Sequence, residues 1–520
     1  MTAGPLSHTT LRRVCPRGPG APRRPTANGG ASGRRYTVPE QRSGKWGVTV
    51  TAPALDPSWV DDVLLAGGPG RDAPALVFAA PVTRAQLRRL VEQRQAVLAA
   101  AGIGRGGPGD SVAICLAPSL AFVVNLLACW RLGARAALLD HRLTPFEIDA
   151  ALQRLAPQAV VSAKHATGGP LRGFQDVEER VATYPGRRAD SAHALVQLSS
   201  GSTGPSKVIA RTAANLVEEL ERYAAIGAGV PQPGERIVCL ASMVHVLGLV
   251  GGLLYGLHAG AQVIVPARMT ADGILAAVAA GPEPTTLLGV PFHIELLSSG
   301  PKPPPLPQLT GMTTGGELVR AAVHETFTDR FGVRLGNMYG MTEVGVIATD
   351  LLGEHRPALT PAPGLRVREE GGELLVSLAE SPYLGLSDPT RWADGWLHTR
   401  DAGTVEPGTG RLRIQGRNDS QVSVGGLKVD LTEVEHTLAA LPGVTSAVVT
   451  YDRAIEAYVM LRDDTTAEQV QAELATRLAA FKRPRVLKVV EQLPRTATGK
   501  LVRDRALLVA ASVKEGNPEV

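Results

Sequence analysis

The stretch 199–207, SSGSTGPSK, places hydroxyl and glycine residues in front of one lysine, directly after the apolar run HALVQL at 193–198. A turn of this composition leaves backbone N–H and side-chain O–H groups free to converge on phosphate oxygens, and the lysine adds a compact positive charge. It lacks the G-x-x-x-x-G-K-[ST] order of a P-loop, because Lys207 lies between Ser206 and Val208. Taken alone, the stretch is compatible with a phosphate site or with an ordinary connection between a strand and a helix.

Helical and strand-like patterns alternate on both sides of this loop. Apolar helical patterns alternate with short β-branched runs from about 85 to 270 and again from about 280 to 350, which predicts α/β units around mainly parallel sheets. Short strands and turns from about 360 to 417 predict a small β subdomain, and the pattern alternates again up to the C-terminus. We expect an α/β protein in which two α/β subdomains and a β subdomain precede a small, mobile α+β domain.

The predicted domain boundaries follow these changes of pattern. Residues 1–46 combine nine Arg or Lys with one acid and little apolar periodicity. This predicts a disordered basic tail, with an Arg-rich transit or extension peptide as the alternative. Residues 47–417 are predicted to form the N-terminal domain, and residues 418–520 the mobile C-terminal domain. Without the tail the formal net charge falls from +5 to −3, so the basic isoelectric point does not indicate nucleic-acid binding.

Membrane insertion and disulfide bonds are not expected either. The glycine-rich apolar segment 243–266 contains His245, His258 and Gln262 and ends in a β-branched run. A buried helix followed by a strand is therefore favoured over a membrane span. The four cysteines show no C-x-x-C spacing, and three of them lie in apolar stretches, which is typical of buried, reduced thiols. These features predict a cytoplasmic protein.

Six motifs occur in one order along the chain and together resemble those of the adenylate-forming superfamily, which includes acyl- and aryl-CoA synthetases, peptide-synthetase adenylation domains and luciferases. After the loop SSGSTGPSK come MTTGGELV, NMYGMTEVG, GWLHTRDAG, GRNDSQVSVGGLKVDLTEVE and LPRTATGKLVR. The resemblance extends over about 75–510. It implies ATP-dependent activation of a small carboxylic acid to an acyl-AMP, release of pyrophosphate, and transfer of the acyl group to a thiol.

The resemblance also implies which residues contact ATP. Those expected to hold its β- and γ-phosphates are Ser199, Ser200, Gly201, Ser202, Thr203, Gly204 and Lys207. Those expected to contact the rest of the nucleotide are Gly315, Gly316 and Glu317 beside adenine, Tyr339 stacked on adenine with Gly340 next to it, Asp401 at the ribose hydroxyls, and Arg417. A carboxylate suits the ribose because its two acceptor oxygens match a vicinal diol.

Three further residues match the catalytic positions of the superfamily. Thr342 is expected to contact phosphate, and Glu343 to hold Mg²⁺, an ion that is usually bound by one or two carboxylates together with phosphate oxygens. Lys500 matches the lysine that the C-terminal domain delivers to the carboxylate and the α-phosphate. Without the resemblance, Glu343 would be read as a surface acid.

The C-terminal motifs imply a domain that moves between two half-reactions. Asp419 occupies the hinge position, where backbone dihedral angles change as the domain rotates. Gly425 and Gly426 lie where the close approach of a pantetheine arm requires the absence of a Cβ. The expected thiol acceptor is coenzyme A, and the phosphopantetheine of an acyl carrier protein is the alternative.

The pocket for the acid substrate has the weakest sequence signal. By resemblance, His245 lies at its entrance and Val246 replaces the asparagine that contacts the hydroxyl group in activators of 2-hydroxybenzoates. Valine offers no such hydrogen bond, so salicylate-type acids are disfavoured. His245 is also compatible with a structural role in the core.

One motif departs from the usual form of the superfamily. The chain has Thr399-Arg400-Asp401 where T-G-D is usual, and Arg400 beside the ribose site could perturb nucleotide affinity. This departure leaves open a non-catalytic adenylate-binding subunit. The retention of Lys207, Glu343, Asp401 and Lys500 together favours an enzyme.

Overall fold

The structure is a computed structural model that describes residues 56–105, 109–165, 172–199, 207–299, 302–316, 319, 321–462, 464–494 and 501–513.

Strands and helices alternate in the described residues from 60 to 361. The strands are β1 (Pro74–Val77), β2 (Pro81–Thr83), β3 (Ser111–Cys115), β4 (Arg135–Leu138), β5 (Ala159–Ala163), β6 (Glu179–Thr183), β7 (His193–Ser199), β8 (Lys207–Thr212), β9 (Arg236–Cys239), β10 (Gln262–Ile264), β11 (Thr285–Gly289), β12 (Leu309–Gly315), β13 (Arg334–Met341), β14 (Gly345–Asp350) and β15 (Thr360–Pro361). The helices are α1 (Arg84–Ala100), α2 (Leu120–Arg131), α3 (Pro145–Leu155), α4 (Ala213–Ala224), α5 (Tyr255–Ala259), α6 (Ala271–Ala279), α7 (Pro291–Ser298) and α8 (Ala321–Phe331), with π-helical segments at Val60–Leu64 and Leu247–Leu254.

These strands form two sheets with parallel centres. The six-stranded sheet has the order β6–β5–β3–β4–β7–β8, and only its outer strands β6 and β8 pair antiparallel. The nine-stranded sheet has the order β15–β14–β13–β12–β11–β9–β10–β1–β2, with an unbroken parallel run from β1 to β13. The loops after β9, β11, β12 and β13 therefore emerge at one edge of this sheet, where ligands bind in open α/β sheets.

Local sequence explains where the helices between the sheets begin. Helix α3 starts with Thr144 as N-cap, Pro145 in its first turn and Glu147 completing a capping box, and Thr212 caps α4 in the same way. Helix α2 is apolar on almost all faces and is buried. Its Trp130 indole donates a hydrogen bond to the Ala194 carbonyl at 2.8 Å. One continuous core thus joins side chains from both sheets and from α1, α2 and α4.

A five-stranded antiparallel sheet follows, as the short strands and turns predicted. Its strands are β16 (Val367–Glu370), β17 (Glu373–Ser377), β18 (Trp392–Ala393), β19 (Trp396–Val405) and β20 (Leu412–Arg417). The order is β16–β17–β19–β18, and β20 pairs with β19 so that Asp401 lies opposite Arg417.

The C-terminal part has its own small sheet and core. Its elements are β21 (Gln421–Val424), β22 (Leu427–Asp430), α9 (Leu431–Ala439), β23 (Val444–Tyr451), β24 (Ile455–Leu461), α10 (Ala467–Arg477), a 3₁₀ turn (Ala480–Lys482), β25 (Val486–Val489) and α11 (Arg505–Val513). Strands β23, β24 and β25 form one sheet, and β21 and β22 form a separate hairpin. The predicted fold class is confirmed. The boundary predicted after residue 417 falls between β20 and β21 and stays a prediction, and the predicted tail lies outside the described residues.

The apolar segment 243–266 forms the π-helical segment Leu247–Leu254, then α5 and β10, so a buried helix followed by a strand is confirmed. Within the described part of the chain, every helix is too short or too polar to cross a bilayer. Cys129 and Cys239 are buried free thiols and Cys115 is a partly buried one. The cytoplasmic location stays a prediction.

Candidate active site

A cavity of about 470 Å³ opens at the carboxyl edge of the nine-stranded sheet. It is bounded by the ends of β12 and β13, by the β19–β20 pair and by the β21–β22 hairpin. Most of the described residues with a predicted site role line it: Lys207, His245, Val246, Gly316, Tyr339, Gly340, Thr342, Glu343, Asp401, Arg417, Asp419 and Gly426.

Asp401 is the centre of a polar cluster at one end of this cavity. The Tyr339 hydroxyl donates to Asp401 Oδ2 at 2.6 Å, and Arg417 Nη1 donates to Asp401 Oδ1 at 3.0 Å. Burial raises the pKa of the Asp401 carboxyl, although the Arg417 charge and the Tyr339 hydrogen bond oppose this. Tyr339 therefore contacts Asp401, the carboxylate predicted to bind ribose, directly. The sequence had assigned it only to adenine.

Arg417 also forms hydrogen bonds with Asp419, the predicted hinge residue. Its Nε and Nη2 donate to the two carboxylate oxygens of Asp419 at 2.8 and 2.7 Å, and Arg391 Nη1 lies 3.8 Å from Asp419 Oδ2. Burial opposes ionisation of Asp419, but the hydrogen bonds and charge of Arg417 lower its pKa. Asp419, at the start of the C-terminal part, thus contacts the same arginine that contacts Asp401, the predicted ribose ligand.

Lys207 and Glu343 contribute opposite charges to the cavity wall. Burial, followed by repulsion from Arg391, lowers the pKa of Lys207, whereas burial raises the pKa of Glu343. Tyr383 donates its hydroxyl to Glu343 Oε1 at 3.0 Å. Within the described ranges, no group of three His, Cys, Asp or Glu side chains is arranged to hold a metal ion. A metal at Glu343 would therefore need oxygens from a bound phosphate.

The loop that precedes Lys207 connects two strands. Ser199 at the end of β7 pairs with Lys207 at the start of β8, and α4 begins only after Thr212. The strand-to-helix connection considered from sequence is therefore wrong, because KVIART adds an antiparallel edge strand before the helix.

Arg400 has an unusual backbone conformation, with φ at 63°. This left-handed region suits glycine, which the superfamily usually has here, and costs other residues about 1 kcal/mol. The Arg400 side chain donates to the Thr390 carbonyl at 2.6 Å and lies 3.8 Å from Glu373 Oε2, and it does not line the cavity. The backbone N–H of Arg400 donates to Glu373 Oε1 at 2.7 Å.

The β21–β22 hairpin lines the cavity near the polar cluster of Asp401. Gly425 and Gly426 form its two-residue turn with φ values of 57° and 82°. A Cβ on Gly426 would lie 2.7 Å from Val290 Cγ1, so this turn contacts the loop after β11. Lys428 Nζ donates to the Gly316 carbonyl at 2.6 Å. The sequence motifs did not single out Lys428, although its place two residues after the glycine pair, in a chain with few lysines, was a usable signal.

The other end of the cavity is mainly apolar. Val246, Leu247, Gly251, Met338 and Val346 line it. His245 also faces this cavity, and its Nε2 lies 3.6 Å from Asp140 Oδ2, a contact that the sequence did not predict.

Several predicted site residues cannot be placed. Ser199 is described only in its backbone. Gly315 is placed, buried at the end of β12, and does not line the cavity. The residues that lie outside the described part of the chain are Ser200, Gly201, Ser202, Thr203, Gly204, Glu317 and Lys500.

The sequence profile of AMP-binding enzymes matches residues 66–373, and the profile of the C-terminal domain of AMP-binding enzymes matches residues 433–500. The chain belongs to the AMP-binding enzyme family. This AMP-binding enzyme was identified correctly from its motifs, and the predicted class of AMP-forming acid–thiol ligases is confirmed. The roles of individual residues stay predictions.

Relatives of this AMP-binding enzyme include ligases for aromatic acids. It is 27% identical over 476 residues to the p-hydroxybenzoic acid–AMP ligase FadD22 of Mycobacterium marinum; the match covers 83% of this chain and 66% of that ligase. It is 25% identical over 450 residues to the benzoate–CoA ligase of Thauera aromatica, covering 76% of this chain and 85% of the relative. The solved o-succinylbenzoate CoA synthetase of Bacillus subtilis, bound to a product analogue, superposes with a TM-score of 0.73 at 23% identity, covering 86% and 98% of the two chains.

Proposed function

We propose that this AMP-binding enzyme activates a small carboxylic acid with ATP and then transfers the acyl group to the thiol of coenzyme A. The observation that carries the proposal is the single cavity with two unlike ends. Tyr339, Asp401 and Arg417 supply hydrogen-bond donors and acceptors for a nucleoside at one end, and apolar side chains can hold the body of an acid at the other.

In the first half-reaction, a carboxylate oxygen of the acid attacks the α-phosphorus of ATP. The new O–P bond forms in line as the bond to pyrophosphate breaks, and an acyl-AMP results. The protein contributes positioning and neutralisation of negative charge, which dominate phosphoryl-type transfers. Lys207 and Thr342 face the cavity where phosphate oxygens would lie, and Lys500 is assigned to the α-phosphate by its motif.

Mg²⁺ fits the residues present around Glu343. The carboxylate is buried, lines the cavity and keeps acceptor capacity beyond the hydrogen bond from Tyr383. Because Mg²⁺ is commonly held by one carboxylate together with phosphates and water, a lone Glu343 is sufficient protein ligation. The ion would neutralise phosphate charge.

In the second half-reaction, the thiolate attacks the acyl carbonyl and AMP leaves with its bonding electron pair. The proposed route of the thiol passes the turn of the β21–β22 hairpin, where Gly426 lies against Val290. Coenzyme A is favoured as acceptor because benzoate–CoA ligase is among the relatives. A carrier protein is the alternative, since another relative is named an acid–AMP ligase. Assays with free CoA and with a phosphopantetheine-loaded carrier distinguish the two acceptors.

The test of this function separates the two half-reactions. Replacement Lys500→Ala should slow acid-dependent ATP–pyrophosphate exchange by roughly 10²- to 10⁴-fold, because a charge that stabilises the transition state is lost. Thioester formation from supplied acyl-AMP should be retained. Equal losses in both steps would contradict the assignment of Lys500 to adenylation. No exchange by the native chain with aryl, short-chain, fatty or amino acids would favour the non-catalytic adenylate-binding subunit.

A further inference from the structure

Glu219 is a carboxylate in the wall of the apolar end of the cavity. It lies on α4, whose apolar residues Leu216 and Leu220 belong to the same packed cluster as Val246 and Leu247. Its residue exposure is 0%, yet it lines the cavity. A carboxylate in such a position is costly unless donors satisfy it, so its partners indicate what it does.

Two donors of the protein reach Glu219. The backbone N–H of Val346 donates to Oε1 at 3.0 Å, and Arg211 Nη2 lies 2.6 Å from Oε2. Gly345 makes room for the carboxylate, because a Cβ on this residue would lie 2.0 Å from Glu219 Oε1. Residues of β8 and of the start of β14 therefore hold the carboxylate in a fixed place.

These donors leave acceptor capacity on Glu219. The two oxygens of a carboxylate offer about four lone-pair sites. The hydrogen bond from Val346 uses one, and Oε2 lies in the ion pair with Arg211 but accepts no hydrogen bond from the described residues. Arg211 balances the charge of Glu219, since the buried pair is neutral as a whole. The remaining capacity is thus suited to a neutral donor such as a hydroxyl or an arylamine, and an ammonium group would leave a net charge in an apolar wall.

We propose that Glu219 selects acids that carry a neutral hydrogen-bond donor on an apolar body, at the end away from the carboxylate. This inference rests on the proposed function, because it assigns the apolar end to the acid substrate. A site that presents a buried acceptor discriminates against analogues without the donor, since these leave the acceptor unpaired in the complex.

The test compares pairs of acids in which one member carries the donor and the other lacks it. ATP–pyrophosphate exchange is measured with benzoate and 4-hydroxybenzoate, with cinnamate and 4-hydroxycinnamate, and with 4-aminobenzoate and 4-methoxybenzoate. We expect kcat/KM to be about 10- to 100-fold higher for the donor-bearing member of at least one pair, because hydrogen bonds to charged groups have this strength. Equal values in every pair, or a preference for β-alanine over all the aromatic acids, would overturn the assignment.

A variant locates the selectivity at Glu219. Replacing both partners, Arg211→Met with Glu219→Leu, leaves no buried charge unpaired and so favours a folded protein. The donor preference should disappear, so that the two members of each pair give equal kcat/KM values. The single variant Glu219→Gln, which keeps an acceptor for the Val346 N–H, should retain part of the preference. An unchanged preference in the double variant would assign the selectivity to another residue.

Two outcomes separate this inference from the proposed function. Exchange with several acids but without donor preference overturns only the role of Glu219. Absence of exchange with every acid contradicts the proposed function, and calorimetric binding of the same pairs then tests the selectivity directly. Tighter binding of the donor-bearing acids by the native chain, lost in the double variant, would support Glu219 even then. Equal binding would overturn it.

Discussion

At the scale of single residues, Asp401 has both of its oxygens occupied before any nucleotide binds. Tyr339 contacts one oxygen and Arg417 the other, and burial raises the pKa of the carboxyl. The two donors compensate part of the cost of burying this charge. Ribose hydroxyls would therefore bind to a carboxylate that is already fixed in position, and they would share its oxygens with the two protein donors.

The variant Tyr339→Phe tests how far the Asp401 carboxylate depends on the Tyr339 hydroxyl. Loss of the hydroxyl leaves Asp401 with an unpaired oxygen, so the free energy of unfolding should fall by about 1–3 kcal/mol at neutral pH. Because the folded-state pKa of Asp401 is raised, its protonated form is favoured in the folded chain, and the loss should shrink as the pH falls through that pKa. Urea denaturation at several pH values measures it.

Tyr255→Phe is the matched control. Its buried hydroxyl donates to the Pro231 carbonyl at 3.2 Å, and it does not line the cavity. This variant should lose stability at all pH values alike and keep ATP affinity. A loss in Tyr339→Phe that does not change with pH would contradict the role given to Asp401.

Sequence reasoning found the residues of the site that lie in recognisable motifs and missed those that do not. Asp401 and Arg417 belong to motifs, and the structure brings them to 3.0 Å. Tyr383 and Glu219 lie outside these motifs and reach the cavity only through the packing of distant elements. Asp140 also lies outside them and is near the cavity residue His245. Contacts between residues far apart in the chain depend on tertiary structure, which periodicity and spacing do not encode.

At the scale of elements, the turn of the β21–β22 hairpin requires positive φ at two adjacent glycines and close contact with Val290 at the second. Both have positive φ, which fits the two-residue turn between these strands. They differ in their surroundings, because a Cβ on Gly425 would meet open space and one on Gly426 would meet Val290.

Comparison of Gly426→Ala with Gly425→Ala separates backbone strain from contact. Each should lose about 1 kcal/mol from the left-handed conformation. Only Gly426→Ala should also displace the hairpin from Val290, and thioester formation from supplied acyl-AMP should then fall by about 10-fold or more relative to Gly425→Ala. Separate rate measurements of each half-reaction detect this difference. Equal thioester rates in the two variants would show that the contact with Val290 does not matter.

The types of most elements could be predicted, because alternating periodicity reports α/β units and glycine-rich turns report short strands. The β7–β8 pair was the exception. Strand β8, KVIART, is short and lies at the edge of its sheet. Its sequence therefore lacks the long apolar run that is typical of a central strand.

At the scale of the whole molecule, Lys482 links the C-terminal part to the body. Its Nζ lies 2.9 Å from Glu147 Oε1 on α3 and 2.8 Å from Glu433 Oε1 on α9. Burial alone would lower the pKa of Lys482, but the two carboxylates raise it. Nearby, the Arg142 guanidinium lies 5.6 Å from the ring centroid of Phe481. These contacts join the C-terminal part to α3 and to Arg142, in addition to the contacts that the hairpin makes.

Replacement Lys482→Met should weaken this arrangement. It leaves two partly buried carboxylates without their shared cation, so we expect a loss of about 3 kcal/mol and a slower thioester step. The matched control is Arg505→Met, which removes an ion pair with Glu456 at 2.7 Å inside the C-terminal part. The control should leave the ratio of the two half-reaction rates unchanged. Thermal unfolding and both half-reactions are measured for each variant, and an equal ratio in Lys482→Met would contradict a link between the domains.

The family and the fold class could be predicted because the six ordered motifs and the alternating pattern can be read directly from the linear sequence. The placement of the C-terminal part could not, since it depends on a few contacts such as Lys482 with Glu147 and Lys428 with Gly316. Each of these pairs joins residues more than one hundred positions apart, and a single charged side chain carries no signal of its partner.

The hydrogen bond from Lys428 to the Gly316 carbonyl has a chemical consequence. A mixed anhydride hydrolyses in water, and the hairpin that carries Lys428 forms part of the cavity wall in this arrangement. An activated acyl group would therefore be sheltered from hydrolysis and from stray amines while the thiol approaches, so ATP would be spent on thioester instead of on free acid.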